Sequence, residues 1–351
     1  MKILVVRFKQ IGDAILSSVI CNTLKRTFPD AEVDYVVYEH ISPLFKNHKY
    51  IDNVISITKE EQKNPFKYIG KVWKVTRKKY DIVIDIMSTP KSEFFTLFSL
   101  RSKYRIGRIG RAESRKKKKF KRGYTYNYKI EEPRDAKDKV DKFLKMLKPL
   151  EQEYKVIYDN NYVITLTSEE KFQMRKRMLD AGVNFSRPVY ICAANSRRES
   201  KIYNTEKMKK IVERVRDELK GQVIFFYSPD EKDFIMKFYE KFEDKKDLFV
   251  NINTKSIREL AMVIANCDFF FGNEGGPRHL AQSLDIPNFA IFSPSASKKE
   301  WLSNANERHQ GVEPGDVGNC EGLDYNGQYN LIDPDYVFDK IEEMSKKFIV
   351  K

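Results

Sequence analysis

The feature that most constrains the fold is an alternation of short apolar segments with amphipathic segments, which occurs twice along the chain. In the first half, apolar segments at residues 3–6, 32–37 and 80–86 are separated by stretches with helical periodicity. The same rhythm restarts after residue 169, with apolar segments at 189–193 and 268–271. Strands that alternate with helices form parallel sheets covered on both faces. The sequence therefore predicts an α/β protein with two Rossmann-like domains.

The predicted domain boundary lies in residues 148–162, which carry no strong period. We place an N-terminal domain at 1–158 and a C-terminal domain at 159–351, each of ordinary size for one core. An amphipathic helix at 335–348 closes the chain. The sequence leaves open whether that helix packs back on the N-terminal domain.

Composition narrows the class of protein. Hydrophobic residues make up 41% and charged residues 33% of the 351 residues, as in globular proteins. No apolar run reaches the roughly 20 residues of a membrane span, and the opening MKILVV enters a strand pattern without a signal-peptide layout. We therefore expect a cytoplasmic protein. The four cysteines form no CxxC pair, so we expect reduced thiols and no metal site.

The net charge of +15 is concentrated in one segment. Residues 101–122 contain twelve Lys or Arg and one Glu. One interpretation is docking to an anionic acceptor lipid or to the inner face of a membrane, and another is a solvated loop. A nucleic-acid-binding protein is the rival from another class, but the chain has no recognisable reader motif, so we expect no nucleic-acid partner.

Three polar loops follow predicted strands, where ligands bind in parallel α/β sheets. The loop at 272–279 pairs Gly275 with Gly276 before a helix, which suits a phosphate at the helix N-terminus, with Glu274 beside it. A plain tight turn, with Glu274 as a solvated residue, is the alternative. His279, in the apolar start of the helix, is interpreted first as a packing residue.

The other two loops carry charged side chains. The loop at 194–203 has Ser196, Arg197 and Lys201, which suit a diphosphate, although such basic loops are often only solvated. The loop at 7–14 places Asp13 after Gly12 at the start of a helix, either as a helix N-cap or as a general base. Neither GxGxxG nor GxxxxGK[ST] occurs, which disfavours NAD and P-loop proteins.

Three blocks in this order resemble the heptosyltransferase family, glycosyltransferase family 9. They are ILVVRFKQIGDAILSSVICNTLKRTFPDAEVDYVV, CAANSRRESKIYNTEKM and DFFFGNEGGPRHLAQSLDIPNFAIFSPSASKKEW, and with YDIVIDI and YRIGR they cover most of residues 1–302. The resemblance implies the GT-B fold, with two sheets facing across a cleft. It implies an inverting glycosyltransferase that needs no metal or cofactor and moves heptose from ADP-heptose onto the lipopolysaccharide core.

The resemblance also implies roles for individual residues. Asp13 matches the catalytic base, and Lys201 the donor-phosphate lysine that assists catalysis. The remaining donor-binding matches are Ser196, Arg197, Glu231, Gly275, Gly276 and His279. This chain departs from the family's usual Asp-Thr-Gly at Glu274, Gly275 and Gly276, and from its usual Trp at Tyr203.

The expected partners are a nucleotide-sugar donor and an anionic glycolipid acceptor. The basic residues and the first loop supply the candidate acceptor-binding residues, which are Lys9, Gly12, Arg108, Arg111, Lys116 and Lys117. We expect a monomer. A non-catalytic sugar-nucleotide-binding protein is the alternative function.

Overall fold

A computed structural model describes residues 1–109 and 123–351 of the chain. The described residues form two compact units, Met1–Thr165 and Leu166–Lys351. Each unit is built on a six-stranded sheet in which every recorded strand pairing is parallel. The α/β class with two parallel sheets is therefore as the sequence predicts.

The first unit has the strand order β3-β2-β1-β4-β5-β6. Its strands are β1 (Lys2–Val6), β2 (Glu32–Tyr38), β3 (Asn53–Ile57), β4 (Ile82–Asp85), β5 (Tyr104–Ile109) and β6 (Tyr128–Glu131). Its helices are α1 (Ile11–Ser17), α2 (Val19–Thr27), α3 (Lys59–Lys63), α4 (Pro65–Thr76), α5 (Glu93–Leu97) and α6 (Lys139–Leu144), with 3-10 turns at Ser42–Phe45 and Lys145–Gln152.

The second unit has the strand order β12-β11-β10-β7-β8-β9. Its strands are β7 (Val189–Ala193), β8 (Gln222–Phe225), β9 (Leu248–Phe249), β10 (Phe269–Asn273), β11 (Asn288–Ile291) and β12 (His309–Val312). Its helices are α7 (Ser168–Asp180), α8 (Thr205–Asp217), α9 (Lys232–Tyr239), α10 (Ile257–Ile264), α11 (Gly276–Ser283), α12 (Lys298–Trp301), α13 (Pro314–Val317), α14 (Tyr325–Asn330) and α15 (Pro334–Phe348), with 3-10 turns at Glu199–Lys201 and Pro229–Glu231.

The two units share one topology. Counted from its own first strand, each sheet has the order 3-2-1-4-5-6, which is the Rossmann order. The chain reverses direction across the sheet between β1 and β4 in the first unit, and between β7 and β10 in the second. Ligands bind at such switch points, beyond the carboxyl ends of the strands. The loops after β1, β7 and β10 are the three polar loops singled out from the sequence.

The first unit ends seven residues later than the predicted boundary at 158, because hydrogen bonds attach the chain around residues 157–163 to that unit. Nδ2 of Asn22 donates to the Asn161 carbonyl at 2.6 Å, and the Asp159 N–H donates to Oγ1 of Thr23 at 3.0 Å. Farther along, the His48 ring lies 3.0 Å from the Val163 carbonyl. The segment has no hydrophobic period, so these polar contacts could not be read from the sequence.

The terminal helix α15 belongs to the second unit. It packs against α8, and its apolar residues Val337, Phe338, Ile341 and Met344 lie in the core of that unit. Its first turn is tied to α8 by ion pairs from Asp335 to Lys210 and Arg214. The terminal helix thus contributes to the core of the second unit.

Some predicted elements differ in detail. The helix that the sequence places after Gly12 is two helices, α1 and α2, separated at Ser18, whose hydroxyl donates to the Ile15 carbonyl. Farther along, α5 has only five residues, and α6 is followed directly by the 3-10 turn at Lys145–Gln152. The edge strands β6 and β12 were not predicted. Both are four residues long and partly polar, so they lack the apolar run of a central strand.

The buried ring of His48 predicts a specific loss of stability in acid. Its Nε2–H donates to the Val163 carbonyl and its Nδ1 accepts the Tyr50 N–H, and burial lowers its pKa from 6.5 to about 4. Since the unfolded chain then binds the proton more readily, stability is complete above pH 6.5 and falls as the pH drops toward 4. We expect the lowered pKa of His48 to reduce the free energy of unfolding by about 3 kcal/mol between pH 6.5 and pH 4.

Urea unfolding across the same pH window tests this expectation. The variant His48→Gln should lack the contribution of His48 to the pH dependence of the unfolding free energy. The difference in unfolding free energy between the original protein and the variant should therefore shrink as the pH falls. Parallel curves for the two proteins would show that His48 titrates normally.

Candidate active site

Asn273, at the end of β10, connects two of the polar loops. Its side chain is buried, with Nδ2 donating to the Ala194 carbonyl at 3.0 Å and Oδ1 accepting the Tyr203 N–H at 2.9 Å. The amide therefore spans both ends of the loop that follows β7. The loops after β7 and β10 are fixed against each other at the switch point of the second sheet. The sequence analysis did not single out this residue, although its place between Gly272 and Glu274 at a strand end was a signal.

Gly272 allows the two strands to approach this closely. Its φ is +119°, and a Cβ atom at this position would lie 2.6 Å from the Ala193 carbonyl oxygen. Any other residue would therefore meet both backbone strain and a backbone clash. By contrast, Gly275 has an extended φ of 171°, and a Cβ atom there would make only an ordinary contact, 3.8 Å from Cδ of Pro277, so this turn position does not require glycine.

Lys201 and Glu274 form the central ion pair of the site. Nζ of Lys201 lies 2.6 Å from Oε2 of Glu274, and the two side chains are 19% and 6% exposed. The sequence analysis placed both residues in the donor site, and the structure brings them together. A nearly buried carboxylate that holds a lysine fixes where the ammonium group can be offered to a ligand.

Tyrosine side chains support the backbone around Lys201. Tyr325 donates to the Ser200 carbonyl at 2.6 Å, and Tyr329 donates to the Lys201 carbonyl at 3.0 Å. Tyr203 is buried and donates to the Ile332 carbonyl at 2.6 Å. The tyrosine that replaces the family's usual tryptophan thus has a hydrogen-bonded structural position. Tyr325 and Tyr329 lie in the polar C-terminal region, which gave no sequence signal.

The N-terminus of α11 lies next to this ion pair in sequence. The helix begins at Gly276, and Gly275 precedes it without a side chain that could cap the first N–H groups. Uncapped N–H groups and the helix dipole make this end of a helix attractive to anions. Asn195 adds a further polar group: it is 6% exposed, and its Oδ1 has no hydrogen-bond partner in the described residues. Such a buried acceptor is typically satisfied by a ligand or water.

His279 lies inside the fold rather than on its surface. It is 1% exposed, and burial and then the charges of Arg278 and Lys201 hold its pKa well below its usual range. Arg278, also buried, donates to Nδ1 of this ring at 2.7 Å and to the Trp301 carbonyl at 2.6 Å. His279 is therefore a neutral packing residue beneath the turn, which was the first interpretation of the sequence.

Three other donor-site candidates follow strand ends of the second sheet. Ser196 is partly exposed and Arg197 fully exposed on the loop after β7. Glu231 follows β8, where its carboxylate accepts the Ser228 N–H at 3.0 Å and the Ser228 hydroxyl at 2.7 Å. This capping contact occupies one Glu231 oxygen and leaves the residue partly exposed.

In the first unit, Arg7 holds the carboxylate of Asp13. Nη2 of Arg7 donates to Oδ1 of Asp13, and Nη1 donates to the Ile86 carbonyl at 3.2 Å. The guanidinium also lies 5.0 Å from the Phe143 ring centre. Arg7 thus joins the ends of β1 and β4, on either side of the switch point. The sequence analysis assigned no role to this arginine.

Asp13 is not the N-cap of α1. That position belongs to Gln10, while Asp13 lies in the first turn with its side chain 18% exposed. The capping alternative from the sequence is therefore wrong. What remains is an accessible carboxylate whose orientation is fixed by an arginine.

Asp85, at the end of β4, has a structural role. It is fully buried and accepts the N–H groups of Met87 and Ser88 and the Tyr126 hydroxyl, while burial raises its pKa to about 6. It shapes the turn after β4.

The acceptor-site candidates are only partly described. Lys9 is exposed, and Gly12 is buried in α1. Arg108 forms an ion pair with Glu132 at 2.8 Å, and its N–H donates to Oγ of Ser88 at 2.7 Å. Arg111, Lys116 and Lys117 lie outside the described residues.

Two searches of the described residues bear on the class of protein. Across 1–109 and 123–351, no three His, Cys, Asp or Glu residues are grouped so that they could hold a metal ion. Within the same ranges, none of the helices has the length and apolar character needed to span a membrane.

Two Rossmann-type units, with a lysine, a carboxylate and a helix N-terminus at the switch point of the second, are typical of GT-B proteins. The pattern of glycosyltransferase family 9 (heptosyltransferase) matches residues 69–315, more than half of the chain. The chain belongs to this family and is a glycosyltransferase.

Individual relatives agree with this assignment. Lipopolysaccharide heptosyltransferase 1 of Campylobacter coli is 23% identical over 320 residues, covering 88% of each chain. A family 9 glycosyltransferase from Veillonella parvula has a similar structure, with a TM-score of 0.81, 18% identity and coverage of 99% of this chain and 97% of its own. The ADP-heptose lps heptosyltransferase II of E. coli gives a TM-score of 0.75, 17% identity and 99% coverage of both chains. The predicted GT-B fold is confirmed.

The bridging role of Asn273 predicts a large effect of truncating its side chain. Asn273→Ala leaves the Ala194 carbonyl and the Tyr203 N–H without this partner in a buried region, and we expect a loss of about 2–4 kcal/mol in unfolding free energy. Asn319→Ala, at an exposed position, is the control and should change stability by less than about 1 kcal/mol. Equal urea-unfolding curves for the two variants would show that the amide does not hold the loops together.

Proposed function

We propose that this chain transfers heptose from ADP-heptose onto an anionic glycolipid acceptor of the lipopolysaccharide core, with inversion and without a metal. Membership of family 9 supports the reaction class. The names of the C. coli and E. coli relatives support the sugar, the nucleotide and the acceptor. The observation that carries the proposal is the Lys201–Glu274 ion pair beside the N-terminus of α11.

The second unit would hold the donor. The β-phosphate leaves with its bonding electrons when the bond between the anomeric carbon and the phosphate oxygen breaks. Lys201, Ser196 and the N–H groups near Gly276 would stabilise the negative charge that develops on this diphosphate. Arg197 and the orphaned Oδ1 of Asn195 are further polar groups on the same loop. His279 would support the turn from beneath, and Glu231 would lie toward the nucleoside.

Glu274 would fix the position of the Lys201 ammonium group rather than bind the phosphate itself. Its carboxylate lies 2.6 Å from the lysine and would repel an anion placed equally close. With the ammonium group held in place, no side-chain entropy remains to be lost when the diphosphate binds. The chain's departure from the family's Asp-Thr-Gly therefore falls on the residue that positions the donor lysine.

The first unit would supply the base. Asp13 would take the proton from the acceptor hydroxyl while the hydroxyl oxygen attacks the anomeric carbon of the donor. This displacement inverts the configuration of that carbon. Arg7 is a positioning residue that holds the carboxylate. Lys9, Gly12 and Arg108 are our candidates on the acceptor side, and the basic residues Arg111, Lys116 and Lys117 remain predictions from the sequence.

Replacing Asp13 tests the proposed chemistry. Asp13→Ala and Asp13→Asn should each lower the transfer rate by a factor of about 100 or more, because no base remains. Binding of ADP-heptose, followed by calorimetry, should stay within about threefold of the original protein, since the donor groups lie on the second unit. The asparagine variant keeps an oxygen for Arg7 and so separates loss of the base from loss of local structure.

The outcomes are distinct. Normal turnover in Asp13→Asn would remove Asp13 from the mechanism. Donor binding without transfer to any core glycolipid by the original protein would instead favour a sugar-nucleotide-binding protein.

A further inference from the structure

Helix α4 presents large apolar side chains to solvent. Phe66 is 87% exposed, Trp73 is 52% exposed and Ile69 is 37% exposed. Their spacing of three and four residues places them along one side of the helix. The opposite side, with Tyr68 and Val72, is buried in the core of the first unit. These three side chains thus contribute nothing evident to the fold of the unit.

Large apolar side chains are also exposed at the end of α5 and just after it. Leu97, Phe98 and Leu100 are 41%, 39% and 59% exposed. Helices α4 and α5 contact each other, and both place residues in the same core cluster over one face of the sheet. We call these six exposed residues, three on α4 and three at or just after the end of α5, the α4–α5 face. Large exposed apolar patches are rare on soluble monomeric proteins and typically mark an interaction site.

Basic residues flank the exposed apolar side chains of α4. A surface depression of about 570 Å³ beside the edge strand β3 is lined by Lys71, Lys74, Arg77 and Lys78, among others. Two of these charges are offset: Lys78 lies 2.7 Å from Asp34, and Lys71 lies 3.9 Å from Glu61.

The other two charges have no acidic partner in residues 1–109 and 123–351. Lys74 and Arg77 form no recorded ion pair there, and Arg77 stacks over the Trp73 ring at 4.7 Å. Two uncompensated cations therefore stand directly beside the exposed aromatic residues.

We propose that the α4–α5 face docks onto an anionic phospholipid bilayer. Phe66, Ile69 and Trp73 would enter the interface between headgroups and acyl chains, where tryptophan is favoured. Lys74 and Arg77 would meet lipid phosphates, to which their charge is complementary. A purely apolar partner would leave these two charges unmatched.

Helix α7 provides a matched comparison within the chain. It also exposes two large apolar side chains, Phe172 at 62% and Leu179 at 52%. Its exposed side, however, carries charges of both signs, with the acidic residues Glu169 and Asp180 on the same helix as the exposed basic residues Lys171, Arg175 and Lys176. Similar apolar exposure combined with mixed charge should not favour an anionic surface. Helix α7 therefore distinguishes binding that depends on charge complementarity from non-specific apolar binding.

Sedimentation with lipid vesicles tests the proposal on the full chain, without donor or acceptor. The original protein should bind vesicles of phosphatidylcholine with phosphatidylglycerol and should bind pure phosphatidylcholine far more weakly. The double variant Phe66→Ser, Trp73→Ser should weaken binding by about tenfold or more. Lys74→Gln with Arg77→Gln should weaken it by about thirtyfold, from the contribution of the two charges.

The controls are Phe172→Ser with Leu179→Ser, and Lys171→Gln with Lys176→Gln, all on α7. Both should bind vesicles like the original protein. Every variant should keep its melting temperature and its affinity for ADP, which separates lost docking from lost folding and from any failure of the proposed transferase activity.

Three results would overturn the proposal. The first is vesicle binding that does not depend on phosphatidylglycerol. The second is a loss of binding in the α7 controls equal to that in the α4 variants. The third is a dimer, seen by analytical ultracentrifugation, that the Phe66 and Trp73 substitutions disperse, since the face would then be an interface between copies of this chain.

Discussion

The structure of the proposed donor site depends on the close approach of β10 and β7. Gly272 makes this approach sterically possible, and the buried amide of Asn273 then joins the two loops that follow. Lys201 and Glu274 reach each other only because these loops are fixed, and α11 begins two residues after the carboxylate. One backbone contact thus determines the arrangement of a lysine, a carboxylate and a helix N-terminus.

In the first unit, an arginine holds the charged group near the switch point. Arg7 follows β1, bonds to the backbone after β4 and holds Asp13 at the start of α1. In both units the charged group of interest is therefore held by a partner that crosses the switch point of the sheet. Because both sheets have the Rossmann order, a loop lies at the switch point of each unit. The loop in the first unit leads to Asp13, and the loop in the second carries Lys201.

The strands that lie inside the sheets were predictable because their apolar runs are continuous and flanked by polar turns. The edge strands β6 and β12 were not, since half of each strand faces solvent and the pattern resembles a loop. Among the site residues, Asp13, Lys201 and Glu274 were identified by residue type at strand ends and by family resemblance. Asn273, Arg7 and the supporting tyrosines were missed, because their importance comes from contacts between segments that are far apart in sequence.

The central claim is that Lys201, positioned by Glu274, holds the donor diphosphate. Calorimetric titration of ADP and ADP-heptose into the original protein and into Lys201→Ala tests it most directly, with Lys207→Ala on the nearby helix α8 as the control. The account predicts that both ligands bind the original protein and the control, and that Lys201→Ala weakens both by about tenfold or more, as expected for the loss of a charge-assisted contact. Unchanged affinity in Lys201→Ala, or no binding of either ligand to the original protein, would contradict it.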